Sequence, residues 1–218
     1  MMEYFQRQFF CLAVAVLGLS SSQLVIAQFG AADRLDVLLA DVDTLSAQVL
    51  QLIVESDGGV LEESDIQMYL KRPNGFYWET VLPFPELVVT DGETLWNYQP
   101  DLEQVVIEDW DSSRSELAAQ LLSGETERLK REYRIERQLS DDRDYDEFTL
   151  LPLAADSVYD TITITFQQRT LEAIHLSHKN GQQTVWQFSQ VERNQGLDDE
   201  LFMFRPPEGI EIVDNSSP

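Results

Sequence analysis

Five short apolar stretches, residues 64–71, 75–81, 86–90, 94–98 and 103–108, follow one another with only a few residues between each and the next. The separators are turn chemistry: Pro73-Asn74-Gly75, Pro83-Phe84-Pro85, Asp91-Gly92 and Pro100-Asp101. Parallel strands need a crossover of about a dozen residues or more, so connectors this short join only antiparallel neighbours. The middle of the chain must be an antiparallel meander, and the rest has to fold around it.

On the N-terminal side, Leu35, Leu38, Leu39 and Val42 fall at helical spacing, with Asp33, Arg34, Asp36 and Asp41 off that face, which predicts an amphipathic helix over residues 31–42. Residues 46–55 read as extended and lead to Asp57-Gly58-Gly59, a hairpin turn. Beyond the meander, Ser113 and Glu116 have the spacing of a capping box. Leu117, Leu121 and Leu122 supply a helical apolar face, and Gly124 is placed to end it. Residues 128–137 are mixed in charge, and a short helix turning into a strand is one reading. Strands resume at 146–151, 159–167, 171–178 and 184–191, with Asn180-Gly181 as a hairpin signal, and a last short strand is expected at 201–205. The total is about ten or eleven strands and two or three helices in one β-dominated α+β domain. So many sequential antiparallel strands must curl, and the helices have to cover the face that the curl leaves apolar.

The chain opens with Arg7, an apolar run over residues 9–19, three serines and then Val25-Ile26-Ala27. This is the pattern of a secretory signal peptide, residues 1–27, cleaved after Ala27. The run is about half of the roughly 20 residues that span a bilayer, so an anchor fits less well. Cys11, the single cysteine, lies inside that segment. Residues 28–218 therefore form one domain with no thiol for a disulfide, a metal or a nucleophile, and burial alone has to stabilise it. Lys and Arg number 15 against 39 Asp and Glu, a net charge of −24, and the signal segment removes one of each sign. Such a surface repels nucleic acid and anionic headgroups, and keeps an exported domain solvated.

Residues 68–100 hold two of the four tryptophans and three tyrosines. Strand alternation points Phe76 and Trp78 one way and Tyr77 and Glu79 the other, while Trp96 and Tyr98 share a face opposite Leu95 and Asn97. Each ring can fill a core. Together they exceed what Leu35, Leu38, Leu39, Leu117, Leu121 and Leu122 can cover, which suggests an apolar cavity lined by Phe76, Trp78, Trp96, Tyr98, Leu117 and Leu121. Arg72 has two readings. It is either an arginine solvated at a strand end or a forked donor that reaches helix-end carbonyls and latches a lid, a role that lysine would not reproduce.

Residues suited to catalysis or metal binding do not assemble. His175 and His178 are three apart on an expected strand and face opposite ways. The acidic clusters at 141–144 and 198–200 lack calcium-loop spacing and read as solvated turns. There is no Gly-x-Ser-x-Gly elbow and no phosphate loop, so neither an enzyme nor a cofactor is expected.

Four collinear stretches carry a resemblance: residues 71–78 (KRPNGFYW), 89–98 (VTDGETLWNY), 100–105 (PDLEQV) and 204–209 (FRPPEG). With the signal segment they make the chain similar to the periplasmic outer-membrane lipoprotein carrier family, LolA. That resemblance implies an incomplete, strongly curved antiparallel β-barrel lidded by α-helices. Its apolar cavity would take the acyl chains of lipoproteins released by an inner-membrane ABC transporter and pass them to an outer-membrane receptor, in the periplasm of a Gram-negative bacterium. It also implies that Arg72 closes the lid and that Phe76 lies by the cavity mouth. The receptor shares the fold but carries an N-terminal cysteine after processing, and the lack of cysteine after Ala27 favours the soluble carrier, expected as a monomer. A lipid sensor or a glycolipid carrier of the same fold is the alternative.

Overall fold

A computed structural model describes residues 30–110, 117–122 and 126–216. The expected signal segment, Cys11, the expected capping box at 113–116 and Gly124 lie outside the described residues, as does the side chain of Leu117.

Helix α1 (Ala31–Ala40) leads into β1 (Thr44–Val54), β2 (Val60–Lys71), β3 (Gly75–Leu82), β4 (Glu86–Thr90), β5 (Thr94–Gln99) and β6 (Gln104–Asp109). Two short helices follow, α2 (Leu117–Leu122) and α3 (Thr126–Glu132). Then come β7 (Tyr133–Gln138), β8 (Tyr145–Pro152), β9 (Tyr159–Gln167), β10 (Thr170–His178) and β11 (Gln183–Arg193). A 3-10 turn at Asp199–Phe202 and β12 (Glu211–Asp214) close the described chain.

The twelve strands form one sheet in the order β12-β6-β5-β4-β3-β2-β1-β11-β10-β9-β8-β7. Two meanders, β1 to β6 and β7 to β11, are therefore joined where β1 pairs with β11. The edges are β12 and β7, so the sheet does not close. Each adjacent pair of the two meanders is antiparallel, as the short connectors require, but β12 runs parallel to β6. Bulges in β11, β3 and β10 add local twist. The curl is strong enough for Trp78 on β3 to meet Trp186 on β11, ring centroids 5.4 Å apart. Strands β2 and β1 lie between them, about 14 Å of sheet at ~4.8 Å per strand.

The topology also explains why the helices lie where they do. β6 is near one edge and β7 is the other, so the α2–α3 connection has to cross the concave face. That face is lined by Leu45, Ala47 and Val49, by Ile66, Met68 and Leu70, and by Phe148, Leu150, Ile162, Ile164 and Ile174. From the lid side, Leu35, Leu38, Leu39, Ala118, Leu121, Leu122 and Leu129 join the same cluster.

The expected strand at 201–205 is not formed. Asp198 caps the 3-10 turn by accepting from the Glu200 amide at 3.1 Å, and this local bond holds the segment out of extended geometry. Phe202 is buried, and a Cβ on Gly75 would meet its ring at 3.1 Å, so the segment packs flat over β3 on the outer face of the sheet.

The β2–β3 turn rests on the β4–β5 turn: Gly92 has φ +97°, and a Cβ there would meet Asn74 Cβ at 2.5 Å. Gly92→Ala is expected to cost about 2 kcal/mol, from the strained φ and the displaced turn, lowering Tm by roughly 4–8 °C. Thermal unfolding of the variant beside the parent measures it. An unchanged Tm would mean that the two turns are free to separate.

Candidate functional site

The site is built where α1 lies across the concave face. One side of α1 buries Leu35, Leu38 and Leu39, and its last turn contains no basic residue of its own. The carbonyls at that end carry the negative pole of the helix and need donors. Arg72, at the end of β2, supplies them: Nη2 donates to Leu39 O at 2.6 Å and Nη1 to Ala40 O at 3.3 Å, while the Arg72 amide donates to Asp43 O at 2.9 Å. Of the two readings of this arginine, the geometry is that of the donor to helix-end carbonyls. Burial lowers its affinity for its proton, and Asp43 and Asp36 partly offset this. Among the described residues, its Nε has no acceptor.

The loop from α1 to β1 is pinned as well. Asn194 accepts from the Asp43 amide at 2.8 Å and donates to Asp41 O at 2.8 Å, and Arg169 pairs with Asp41 at 2.7 Å.

The first turn of α1 is held differently. Arg34 Nη2 lies 2.6 Å from Asp146 Oδ2, and its Nε donates to both oxygens of that carboxylate at 3.3 and 3.2 Å. Arg137 of β7 takes the other side, Nη2 to Oδ1 at 2.6 Å. The Asp146 side chain is 2 % exposed. Burial alone would hinder its ionisation, but the hydrogen bonds and charges of the two arginines outweigh that and hold its carboxyl below the usual range. The hydrogen bond from Arg34 in turn raises the affinity of that guanidinium for its proton, against the opposing effect of burial.

Phe76, Trp78 and Leu121 meet in one apolar cluster. Phe76 and Leu121 are buried in the cluster beneath the lid, and Trp78 stacks on Phe76 with centroids 6.0 Å apart. Trp96 and Tyr98 do not join them. The register pairs Tyr77 with Val89 and Val89 with Trp96, so Trp96 and Tyr98 share the outer face with Tyr77, opposite Phe76 and Trp78. Tyr98 meets Phe204 there, centroids 5.2 Å apart, under the C-terminal segment. The reading of these two rings as lining the same cavity as Phe76 and Trp78 is thus corrected. α2 begins at Leu117, and nothing further is described of that residue's side chain.

Sequence reasoning missed Trp186, whose indole donates to Gln51 at 2.8 Å on the concave face. It also missed Arg34, Arg137 and Asp146. A signal for Asp146 was present: it has the strand parity of Phe148 and Leu150, an acid in an inward row.

With α1 down, the space left among Leu38, Leu39, Val42, Leu45, Leu122, Phe166 and Leu171 is about 20 Å³. That is room for about one water. A chain-like ligand that enters beneath this end of α1 therefore has to lift the helix. His175 is exposed, while His178 lies against Tyr159. Among the described residues no helix is long and apolar enough to cross a membrane.

The model of the outer membrane lipoprotein carrier protein family LolA matches residues 40–205. The outer-membrane lipoprotein carrier protein of Chromohalobacter salexigens is 36 % identical over 187 residues, 86 % of this chain and 88 % of that one. Its counterpart in Hahella chejuensis is 35 % identical over 202 residues, 93 % of this chain and 95 % of that one. A solved LolA superfamily protein from Nitrosomonas europaea superposes with a TM-score of 0.45 at 15 % identity, over 79 % of this chain and 97 % of that one. The family match spans most of the chain, includes the Arg-Pro-Asn turn that brings Arg72 to the end of α1, and places this protein in the LolA family.

Proposed function

We propose that this protein carries lipoproteins through the periplasm, sheltering their acyl chains between the concave face of the sheet and the lid of α1 and α2. It receives them from an inner-membrane ABC transporter and passes them to an outer-membrane receptor. The observation that carries this reading is a continuous apolar face covered by a helix held down through replaceable polar contacts, in a chain of the LolA family. The described residues under the lid supply mainly apolar surface.

Energetics set how such a carrier has to work. A lipid anchor of some forty methylenes costs on the order of 30 kcal/mol to expose to water at ~0.8 kcal/mol each, and noncovalent affinities level off near about 20 kcal/mol. Free release into water is closed off, and transfer runs from mouth to mouth. Cargo affinity must then be modest, so that a slightly better receptor drains the carrier. A closed lid provides this, because lifting it consumes part of the energy gained by burying the chains.

Arg72 is one of the contacts that loading strains. Its hydrogen bonds to the α1 carbonyls are worth about 1.5–3 kcal/mol, so Arg72→Leu is expected to deepen cargo binding by ~10–100-fold and to slow hand-over by a similar factor. A reconstituted transfer assay with purified receptor reads it, and transfer at the parent's rate would remove Arg72 from this role. Mass spectrometry of what co-purifies with the protein from periplasm tests the cargo class directly. Acylated protein supports the proposal, whereas free glycolipid or no lipid would overturn it.

A further inference from the structure

We propose that the Arg34–Asp146 pair is the releasable latch at the free end of the lid, and that Arg137 is the partner that stays with Asp146 when Arg34 leaves. This rests on the carrier reading for the purpose of the motion, and on geometry alone for the motion itself.

The two ends of α1 are not equivalent. At its C-terminal end the helix passes within three residues into β1, through a link pinned by Asn194, Arg169 and Arg72. That end can tilt but cannot travel. Arg34 lies roughly 9 Å away along the helix, at ~1.5 Å per residue, where among the described residues no short covalent link ties α1 to the sheet. Two other polar contacts of the first two turns run to α3, itself part of the cover: Thr126 donates to Asp36, which also feels the charge of Arg72, and Lys130 sits 3.8 Å from Asp33. Arg34 therefore holds to the sheet the part of the lid with the longest swing.

A buried carboxylate paired with one cation makes a poor latch, because opening strands the charge. Asp146 avoids this by taking two arginines from different elements. Arg137 belongs to the edge strand β7 and does not move with α1, so the carboxylate stays compensated when α1 lifts. Arg34 is already 28 % exposed and reaches water as it leaves. The forked, charge-assisted geometry of the closed pair returns the helix to one position.

The two arginines should then act in opposite directions, which a purely structural role for Asp146 would not produce. Arg34→Gln removes the latch and leaves Asp146 compensated. Arg137→Gln leaves the latch and removes its standby, so opening strands the carboxylate. The probe is a tripalmitoyl lipopeptide with brominated chains, whose entry quenches the tryptophans of the concave face. Entry is expected to be faster by roughly tenfold or more in Arg34→Gln and slower than the parent in Arg137→Gln. Changes of the same sign in both variants would overturn the proposal.

A second measurement needs no ligand. Spin labels at Gly30 and at Ala40, each paired with one at His175 on the outer face of β10, report the two ends of α1. In Arg34→Gln the Gly30 distances should broaden outward by on the order of a helix diameter, ~10 Å, while the Ala40 distances hold. A narrow Gly30 distribution, or equal broadening at both positions, would overturn the latch. If no lipopeptide enters the parent, the carrier reading fails by itself, and the label distances still decide the latch.

Discussion

Phe76→Glu is expected to abolish loading of lipoprotein and to destabilise the closed protein. Phe76 is 2 % exposed, stacked on Trp78 and seated in the main cluster beneath the lid. Removing a buried phenyl ring alone costs about 3–5 kcal/mol. A carboxylate in its place adds a desolvation penalty, because the cluster around Phe76 is apolar. The glutamate can escape by taking up a proton or by holding the lid open, and both leave a polar group where acyl chains would enter. Loading and stability separate through a control: Phe76→Leu keeps the surface apolar at the cost of a small cavity. The expected order of Tm is parent, then Leu, then Glu, with loading retained in Leu and lost in Glu. Purified Phe76→Glu protein that loads lipoprotein as the parent does would remove Phe76 from the loading path.

Asp146→Asn should give the second large effect, about 3 kcal/mol of stability, read as a lowered midpoint in urea at neutral pH. Breaking a buried ion pair by deleting one partner costs about 3–5 kcal/mol, and the lower end applies because both arginines left behind reach water, with side chains 28 % and 35 % exposed. The pH dependence gives a second signature. The Asp146 carboxyl is held below its unfolded value by Arg34 and Arg137 against the effect of burial. Its stabilisation is thus complete above the unfolded pKa of about 3.9, and is lost as pH falls through the lower folded value. The gap between parent and Asp146→Asn should be widest at neutral pH and narrow steadily below about pH 4. A gap that does not depend on pH would mean that the ion pair contributes nothing.

Much of the fold was legible because it rests on local rules. Helix 31–42 was read from four apolar residues at helical spacing, and α1 is Ala31–Ala40. The meander followed from turn residues too close together for a crossover. The mixed segment 128–137 is a helix, α3, running directly into a strand, β7. What was missed depends on partners far away in sequence. β12 is four residues long and mostly exposed, and exists because the edge of β6 accepts it, with Glu211 N bonded to Glu103 O at 2.8 Å. No local pattern distinguishes such a segment from a tail. The faces of Trp96 and Tyr98 were missed for a related reason. Alternation pairs the two rings, but the register of the β3–β4 and β4–β5 hairpins decides which way they point, and a slip of one residue reverses every side chain.

By itself the sequence determined the antiparallel meander, the amphipathic cover and the excess of apolar surface, because periodicity and turn chemistry act over a few residues. It also marked Arg72 as a donor with two uses. Only the tertiary structure decided between them, by bringing the end of β2 against the end of α1. Only it revealed that Asp146 holds Arg34 from 112 residues away and shares itself with Arg137. Ion pairs between distant elements leave no periodic trace, since the energy that selects them appears only when the curled sheet brings the charges together in a place that water has left.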